Sequence, residues 1–339
     1  MRIGFLGVGR IGSSHAAVVA RHPDVGSVVF GDLDPARARA AATRFAAEGV
    51  AVTAVEAVDD VIAAGVDALV IATATDSHAE LIIAGIEAGL PVFCEKPVAP
   101  DVAGTLAVRD AISSSDGAPV QIGFQRRFDA GYAAARAALQ AGELGELRRV
   151  HAVTADAAPP PAAYIRTSGG IYRDCLIHDF DIVRWVTAHE IVDVTAQGAN
   201  RGAAFFGEAG DVDETVVLLT LDDGTLGTVH GSRYNGGGYD VRLEVAGTGG
   251  TLAVGLDDHA ALCSAEPGVG FPHGTPHATF WERFAPAYAA EIGAFVELVS
   301  DGGPSPCSVD DALEALYVAE AATLSRLEGR RVEIAEVRK

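Results

Sequence analysis

Gly7-Val8-Gly9-Arg10-Ile11-Gly12 decides the fold of this chain. The six residues overlap the end of the short apolar run Ile3–Val8 and open the helically spaced segment Arg10–Ala20. An acid, Asp32, stands 20 positions after Gly12, at the end of the next strand-like run, Ser27–Phe30. A G-x-G-x-x-G set between a strand and a helix, with an acid at that distance, is the fingerprint of a dinucleotide site. The first glycine permits the tight turn, the second lets a pyrophosphate approach the backbone, and the third lets helix pack on strand. The helix N-terminus then turns unpaired N–H groups and the positive end of its dipole toward the phosphates. Asp32 is suited to accept hydrogen bonds from the ribose hydroxyls. A 2′-phosphate there would meet a like charge costing about 4 kcal/mol at ~4 Å and an effective dielectric of ~20. The expected cofactor is therefore NAD.

Outward from this stretch, strands and helices alternate. Pro35–Ala46, Asp76–Ala88 and Asp101–Ser113 read as helices, with Asp34 as N-cap and Pro35 at the first helical position of the earliest. Ala51–Thr53, Ala68–Ile71, Pro91–Phe93 and Pro119–Ile122 read as strands. Such alternation builds parallel βαβ units in a doubly wound sheet. After residue 122 the pattern changes. A helix at 131–141, a strand at Arg148–Thr154, a Pro-rich loop at 157–161 and a helix at 174–188 precede strand-like runs at Ile191–Gln197, Glu214–Leu221, Gly227–Ser232, Val241–Ala246 and Thr251–Val254. Asp222-Asp223-Gly224 and Thr248-Gly249-Gly250 are turn signals between neighbouring strands. Two domains are expected in an α/β chain. Residues 1–122 form a Rossmann domain, and 123–339 form an α+β domain with an open, largely antiparallel sheet, the C-terminal helix free to pack back on the first. Residues 256–280 read as a long loop, and Phe280–Val299 and Val309–Leu324 as amphipathic helices.

Composition narrows the function. With 49% apolar and 21% charged residues the chain is globular. Its formal charge of −21 would repel a phosphate backbone or an anionic membrane, which excludes nucleic acid and membrane partners. No basic leader followed by an apolar stretch begins the chain, and no run approaches the ~18 apolar residues of a membrane span. A cytoplasmic protein is expected. Cys94, Cys175, Cys263 and Cys307 are far apart and form no C-x-x-C pair, so they read as reduced thiols and no metal site is expected.

Two segments carry the chemistry. Among 25 lysine and arginine residues, the only lysines are Lys96 and Lys339. Lys96 lies in Cys94-Glu95-Lys96-Pro97, at the carboxyl end of a strand, where ligands of such sheets bind. The second segment is Gly169-Gly170-Ile171-Tyr172-Arg173-Asp174-Cys175-Leu176-Ile177-His178-Asp179-Phe180-Asp181. On an α-helix Asp174, His178 and Asp181 would share one face among apolar neighbours. Alone, the Asp174–His178 spacing equally suits a buried pair that satisfies itself. Beside a dinucleotide site it points to dehydrogenation, which needs a base for a hydroxyl proton and a cation for the developing alkoxide. His178 suits the first role and Lys96 the second, with Asp174 orienting the imidazole or contacting substrate.

The sequence resembles the glucose–fructose oxidoreductase / inositol dehydrogenase family along essentially its whole length. The likeness rests on GFLGVGRIG, on TATDSHAEL at 73–81, on EKP at 95–97 and on GGIYRDCLIHDFD at 169–181. It implies that Lys96, Asp174 and His178 form the catalytic set. It also implies that Gly7, Gly9, Arg10, Ile11, Gly12, Asp32, Thr73, Thr75, His78, Glu95 and Lys96 serve the cofactor, and that Gln125, Asp156, Asp181 and Tyr239 line the substrate site. The implied reaction is NAD-dependent oxidation of a secondary hydroxyl of a cyclitol or pyranose by a homo-oligomer, a tetramer or dimer. Two alternatives are a lyase or hydrolase that uses bound NAD for transient oxidation, and a non-catalytic cofactor-binding sensor.

Overall fold

A computed structural model describes residues 1–115 and 117–338, and Lys339 lies outside them. The chain divides into two compact units. One comprises Met1–Gln125 with Pro286–Leu313, and the other Arg126–Ala285 with Glu314 to the C-terminus. The break after Gln125 falls close to the expected 122. Membership differs from a single division there, because 286–313 returns to the first unit.

In the first unit β1 (Arg2–Leu6), α1 (Arg10–Arg21), β2 (Ser27–Gly31), α2 (Pro35–Ala47), β3 (Val52–Ala54), α3 (Asp59–Ala63), β4 (Ala68–Ile71), α4 (His78–Glu87), β5 (Val92–Glu95), α5 (Val102–Ser113) and β6 (Val120–Gly123) follow one another. The strands form a six-stranded sheet in the order β3-β2-β1-β4-β5-β6, with every pairing parallel. Strands β4, β5 and β6 are buried along their whole length, and β4, Ala68-Leu69-Val70-Ile71, accordingly reads as a continuous rather than alternating apolar run. The helix starts are set by side chains: Asp34 accepts from Ala36 N at 3.0 Å and Asp101 from Gly104 N at 2.8 Å. Phe5, Phe30, Phe45 and Phe93 pack in one core with Ile292 and Phe295 of the returning segment. The strand order reverses between β1 and β4, and the carboxyl ends there are where such sheets take ligands.

The second unit contains α6 (Ala130–Gln140), β7 (Leu147–Ala155), α7 (Ala162–Ile165), a π-helical turn at Tyr172–Leu176, α8 (Ile177–Thr187), β8 (Ile191–Ala199), α9 (Phe205–Glu208), β9 (Glu214–Leu221), β10 (Leu226–Ser232), β11 (Asp240–Gly247) and β12 (Thr251–Val254). The residue ranges of α10 (Phe280–Asp301) and α11 (Val309–Glu328) are shared between the units, and β13 (Val332–Glu333) closes the chain. The seven-stranded sheet runs β12-β11-β7-β10-β9-β8-β13, antiparallel except for the β7–β10 pair. Burial alternates along β9, with Val217, Leu219 and Leu221 inward and Val216 and Leu218 outward. One face of this sheet therefore meets the core and the other is open.

The segment expected as one α-helix over 174–188 differs. Its first turn is π-helical, preceded by Gly169 and Gly170 in the left-handed region at φ +82° and +88°. A side chain at Gly170 would press within 3.1 Å of Asp211 Oδ1, the atom that accepts from Ile171 N. The close approach of Asp211 thus fixes both the glycine and the start of the turn. A π-turn holds one extra residue between its bonded groups and is enriched at functional sites.

Candidate functional site

The glycine turn is tightly packed at Gly7 and Gly12 and open at Gly9. Gly7 has φ +89°, and a Cβ there would stand 2.6 Å from Ala72 O. A Cβ on Gly12 would stand 1.9 Å from Gly7 O, so helix and strand approach only because it is absent. At Gly9 a Cβ would meet nothing within 4 Å, so the missing side chain leaves open space over the turn. Gly9 is also the N-cap of α1, which has no side-chain cap bond and no acid in its first turn. An uncapped helix end with a clear approach fits a diphosphate. Arg10 is exposed at the first position of α1 and Ile11 is half-buried.

Asp32 is 7% exposed and follows β2 directly. Its Oδ2 accepts from Val8 N at 2.8 Å and its Oδ1 from Asp34 N at 2.9 Å. Each carboxylate oxygen has a second lone pair, so the acid both clamps the turn and remains able to accept ribose hydroxyls. Thr73 Oγ1 shares a 2.7 Å hydrogen bond with Ser77 Oγ. Thr75 begins the 3-10 turn before α4. The His78 ring is buried between backbone carbonyls, with Nδ1 2.7 Å from Pro97 O and Nε2 3.2 Å from Thr73 O. It therefore braces the backbone just after Lys96, which stands half-buried at the end of β5.

Glu95 lies within a buried cluster that the sequence reading missed. Its Oε1 is 2.5 Å from His15 Nε2, and Glu291, fully buried, faces the same pair. Neither Glu291 oxygen has a hydrogen-bond partner among the described residues. Burial, and then the neighbouring Glu95, push its carboxyl well above the usual range. The 2.5 Å contact is a direct hydrogen bond. Two ligands of one tetrahedral zinc stand roughly 3.3 Å apart, given metal–ligand distances of about 2.0–2.1 Å. Buried beside Glu95 without a hydrogen-bond partner among the described residues, Glu291 is in surroundings that favour its protonated form. A histidine two positions beyond Ser13 in the helix of the motif was the available signal, but its acid partners come from β5 and from residue 291.

In the second unit Asp174 and His178 are half-buried, whereas Asp181 is completely buried. The expected common face is therefore split. Asp174 sits in the π-turn and His178 in the first turn of α8. Arg127 Nε donates to Asp181 Oδ2 at 3.0 Å and its Nη2 to Oδ1 at 2.5 Å, a fork-on-fork pair. Asp181 thus faces an arginine rather than solvent. Asp174 Oδ1 accepts from Tyr164 Oη at 2.7 Å, and its Oδ2 from Arg233 Nη2 at 2.7 Å. Asp156 Oδ2 accepts from the same guanidinium through Nη1 at 2.9 Å.

A further buried ion pair joins Arg126 to α8. Arg126 Nη1 donates to Asp179 Oδ1 at 2.7 Å and its Nη2 to Thr154 Oγ1 at 2.9 Å. Burial pulls the Arg126 pKa down, but Asp179, Tyr132 and Tyr239 more than reverse this, and the guanidinium stays charged. Burial raises Asp179 while Arg126 opposes it. Tyr239 is half-buried, with its phenol pushed up by burial against the pull of Arg126. Gln125 is 4% exposed at the start of a 3-10 turn. Spacing could not reveal Arg126–Asp179 or the partners of Arg233, because they are separated by dozens of residues and meet only in the folded unit. All four cysteines are free thiols, Cys263 exposed and the others buried. No described helix is long and apolar enough to cross a membrane.

Two family models match. One, described as "Oxidoreductase family, NAD-binding Rossmann fold", covers residues 1–124. The other, the GFO/IDH/MocA C-terminal domain, covers 132–253. An inositol 2-dehydrogenase of Rhizobium meliloti (strain 1021) is 38% identical over 335 residues, 99% of each chain. The crystal structure of a myo-inositol dehydrogenase from Corynebacterium glutamicum superposes with a TM-score of 0.89 at 35% identity, covering 98% of both chains. That of a scyllo-inositol dehydrogenase from Lactobacillus casei, with bound NAD(H) and scyllo-inositol, gives a TM-score of 0.85 at 28% identity and covers 99% of each.

Proposed function

The chain belongs to the GFO/IDH/MocA oxidoreductase family, and from that premise we propose that it oxidises a secondary ring hydroxyl of an inositol to the ketone with NAD. The observation that carries the reading is that one chain holds an NAD-type glycine turn in its first unit and half-buried Asp174 and His178 in its second. Full-length likeness to inositol dehydrogenases supports the substrate class.

NAD would be held by the uncapped start of α1, the open space over Gly9 and the carboxylate of Asp32, and when bound it supplies the acceptor for the substrate's two electrons. His178 receives the hydroxyl proton, and Lys96 supplies positive charge where the alkoxide develops. Asp174 is a hydrogen-bond acceptor whose carboxylate is held in place by two donors. In this reading Gln125 and Tyr239 bind other hydroxyls of the ring, while Asp181 acts through Arg127. The open face of the second sheet exposes Val216, Leu218 and Leu226, which supports assembly into a homo-oligomer. Light scattering tests the assembly.

The function is tested with purified protein and NAD against myo-inositol, scyllo-inositol, glucose, xylose and galactose, following NADH absorbance. Turnover with an inositol and release of NADH is expected. Product formation without net NADH would move the assignment to transient oxidation by a lyase or hydrolase.

A further inference from the structure

Arg233 is 3% exposed, and its two terminal nitrogens serve two carboxylates from different parts of the second unit. Nη2 reaches Asp174 in the π-turn at 2.7 Å, and Nη1 reaches Asp156, just beyond β7, at 2.9 Å. Backbone hydrogen bonds tie the Arg233 and Asp156 segments to one another and to Asp213. Arg233 N donates to Asp213 O at 2.8 Å, Asp156 N donates to Ser232 O at 2.9 Å, and Asn235 N donates to Asp156 O at 2.8 Å. Tyr164 of α7 donates its hydroxyl to the other oxygen of Asp174 at 2.7 Å.

Two carboxylates drawn this near one another in a poorly solvated place do not both stay ionised unaided; one takes a proton. A guanidinium removes that pressure and, being planar, fixes two acceptors in direction as well as charge. A lysine would bring the charge but only a point contact.

We propose that Arg233 is a positioning and specificity residue of this site. It keeps Asp174 and Asp156 as carboxylates in fixed orientation, and it lowers their joint charge from −2 to −1. The site is thereby matched to a neutral polyhydroxylated ring rather than to a ring bearing an ammonium group. The inference rests on the reading of Asp174 as part of a dehydrogenase site.

The test uses the full-length enzyme with Arg233→Met and Arg233→Lys, each checked for folding by circular dichroism. The probes are myo-inositol, scyllo-inositol and an inositol in which one hydroxyl is replaced by an amine. Relative to wild type, Arg233→Met is expected to lose about 10²-fold in kcat, since displacement of a reacting group by ~1 Å costs that much. Its kcat/KM for the amino-inositol relative to the inositol should rise at least about tenfold, because a net carboxylate charge is uncovered. The acid limb of its pH profile should move upward. Calorimetric affinity for NAD should stay unchanged, which a general loss of structure would not permit. Arg233→Lys should recover part of kcat and most of the substrate preference. Wild-type kcat, preference and pH profile in a folded Arg233→Met would overturn the proposal.

If Arg233→Met does not fold, Arg233→Lys carries the test through kcat, with an unchanged value overturning the proposal. If wild type oxidises no inositol, the functional reading fails by itself. Infrared spectroscopy at pH 7 then decides the inference: a protonated-carboxyl band gained by either variant supports it, and its absence from both overturns it.

Discussion

Asp32 Oδ2 accepts a hydrogen bond from the Val8 amide at 2.8 Å, so the acid after β2 is tied to the glycine turn after β1. The same carboxylate accepts from Asp34 N, at the start of α2. One side chain therefore shapes the turn and sets the charge that an adenosine ribose would meet. NAD is expected to bind much better than NADP, and Asp32→Ser should narrow that gap while weakening NAD itself. Calorimetric titration with both cofactors checks this, and equal affinity in the wild type would reject the assignment.

The proposed acid–base chemistry predicts a separation of binding from turnover. His178→Ala should lower turnover by about 10²–10⁴-fold with NAD binding nearly intact, since residues 1–124 carry the cofactor fold. Lys96→Met should do likewise by removing the cation beside the alkoxide. Single-turnover NADH formation measures both, and near-normal turnover in either variant would remove that residue from its role.

How far the chain is legible depends on how local the cause is. The glycine turn, the Asp34 cap and the strand at Glu214–Leu221 are set by neighbours within a few residues, and each stands where its pattern places it. β13 is two residues long and gains its place only by pairing with β8, so no periodicity could announce it. The π-turn is hidden for a related reason. Spacing places Asp174, His178 and Asp181 on one α-helical face, but the turn depends on Asp211 taking the Ile171 amide, 40 residues away. The arginines beside Asp179, Asp181 and Asp174 were visible as residues, but not as partners.

Glu291 should leave a pH signature. Burial and then Glu95 raise its carboxyl well above the usual range. An acid raised in the folded state contributes stability that is complete below its unfolded pKa, about 4.3, and that is lost as pH climbs through the folded value. Glutamine imitates the protonated form at every pH. The Tm of Glu291→Gln minus that of wild type is therefore expected to become more positive between pH 5 and pH 9. Calorimetric melts across that range measure it, and parallel curves would show that Glu291 is ionised.

The last prediction concerns the shape and charge of the substrate. Asp174 and Asp156 share Arg233, Asp181 holds Arg127, and Asp179 holds Arg126. These acids would repel a carboxylate substrate, and the arginines that would receive one are already directed at the acids. In the proposed site Asp174, Asp156 and Tyr239 would offer two carboxylates and a phenol, which suit several neutral hydroxyls at once. A rigid ring loses less conformational freedom on binding than an open chain, so the same hydrogen bonds give more affinity. The kcat/KM for myo-inositol and pyranoses should therefore exceed that for sorbitol, lactate and gluconate. Clear preference for an acid or a linear polyol would reject this pocket while leaving the NAD-dependent oxidoreductase assignment standing.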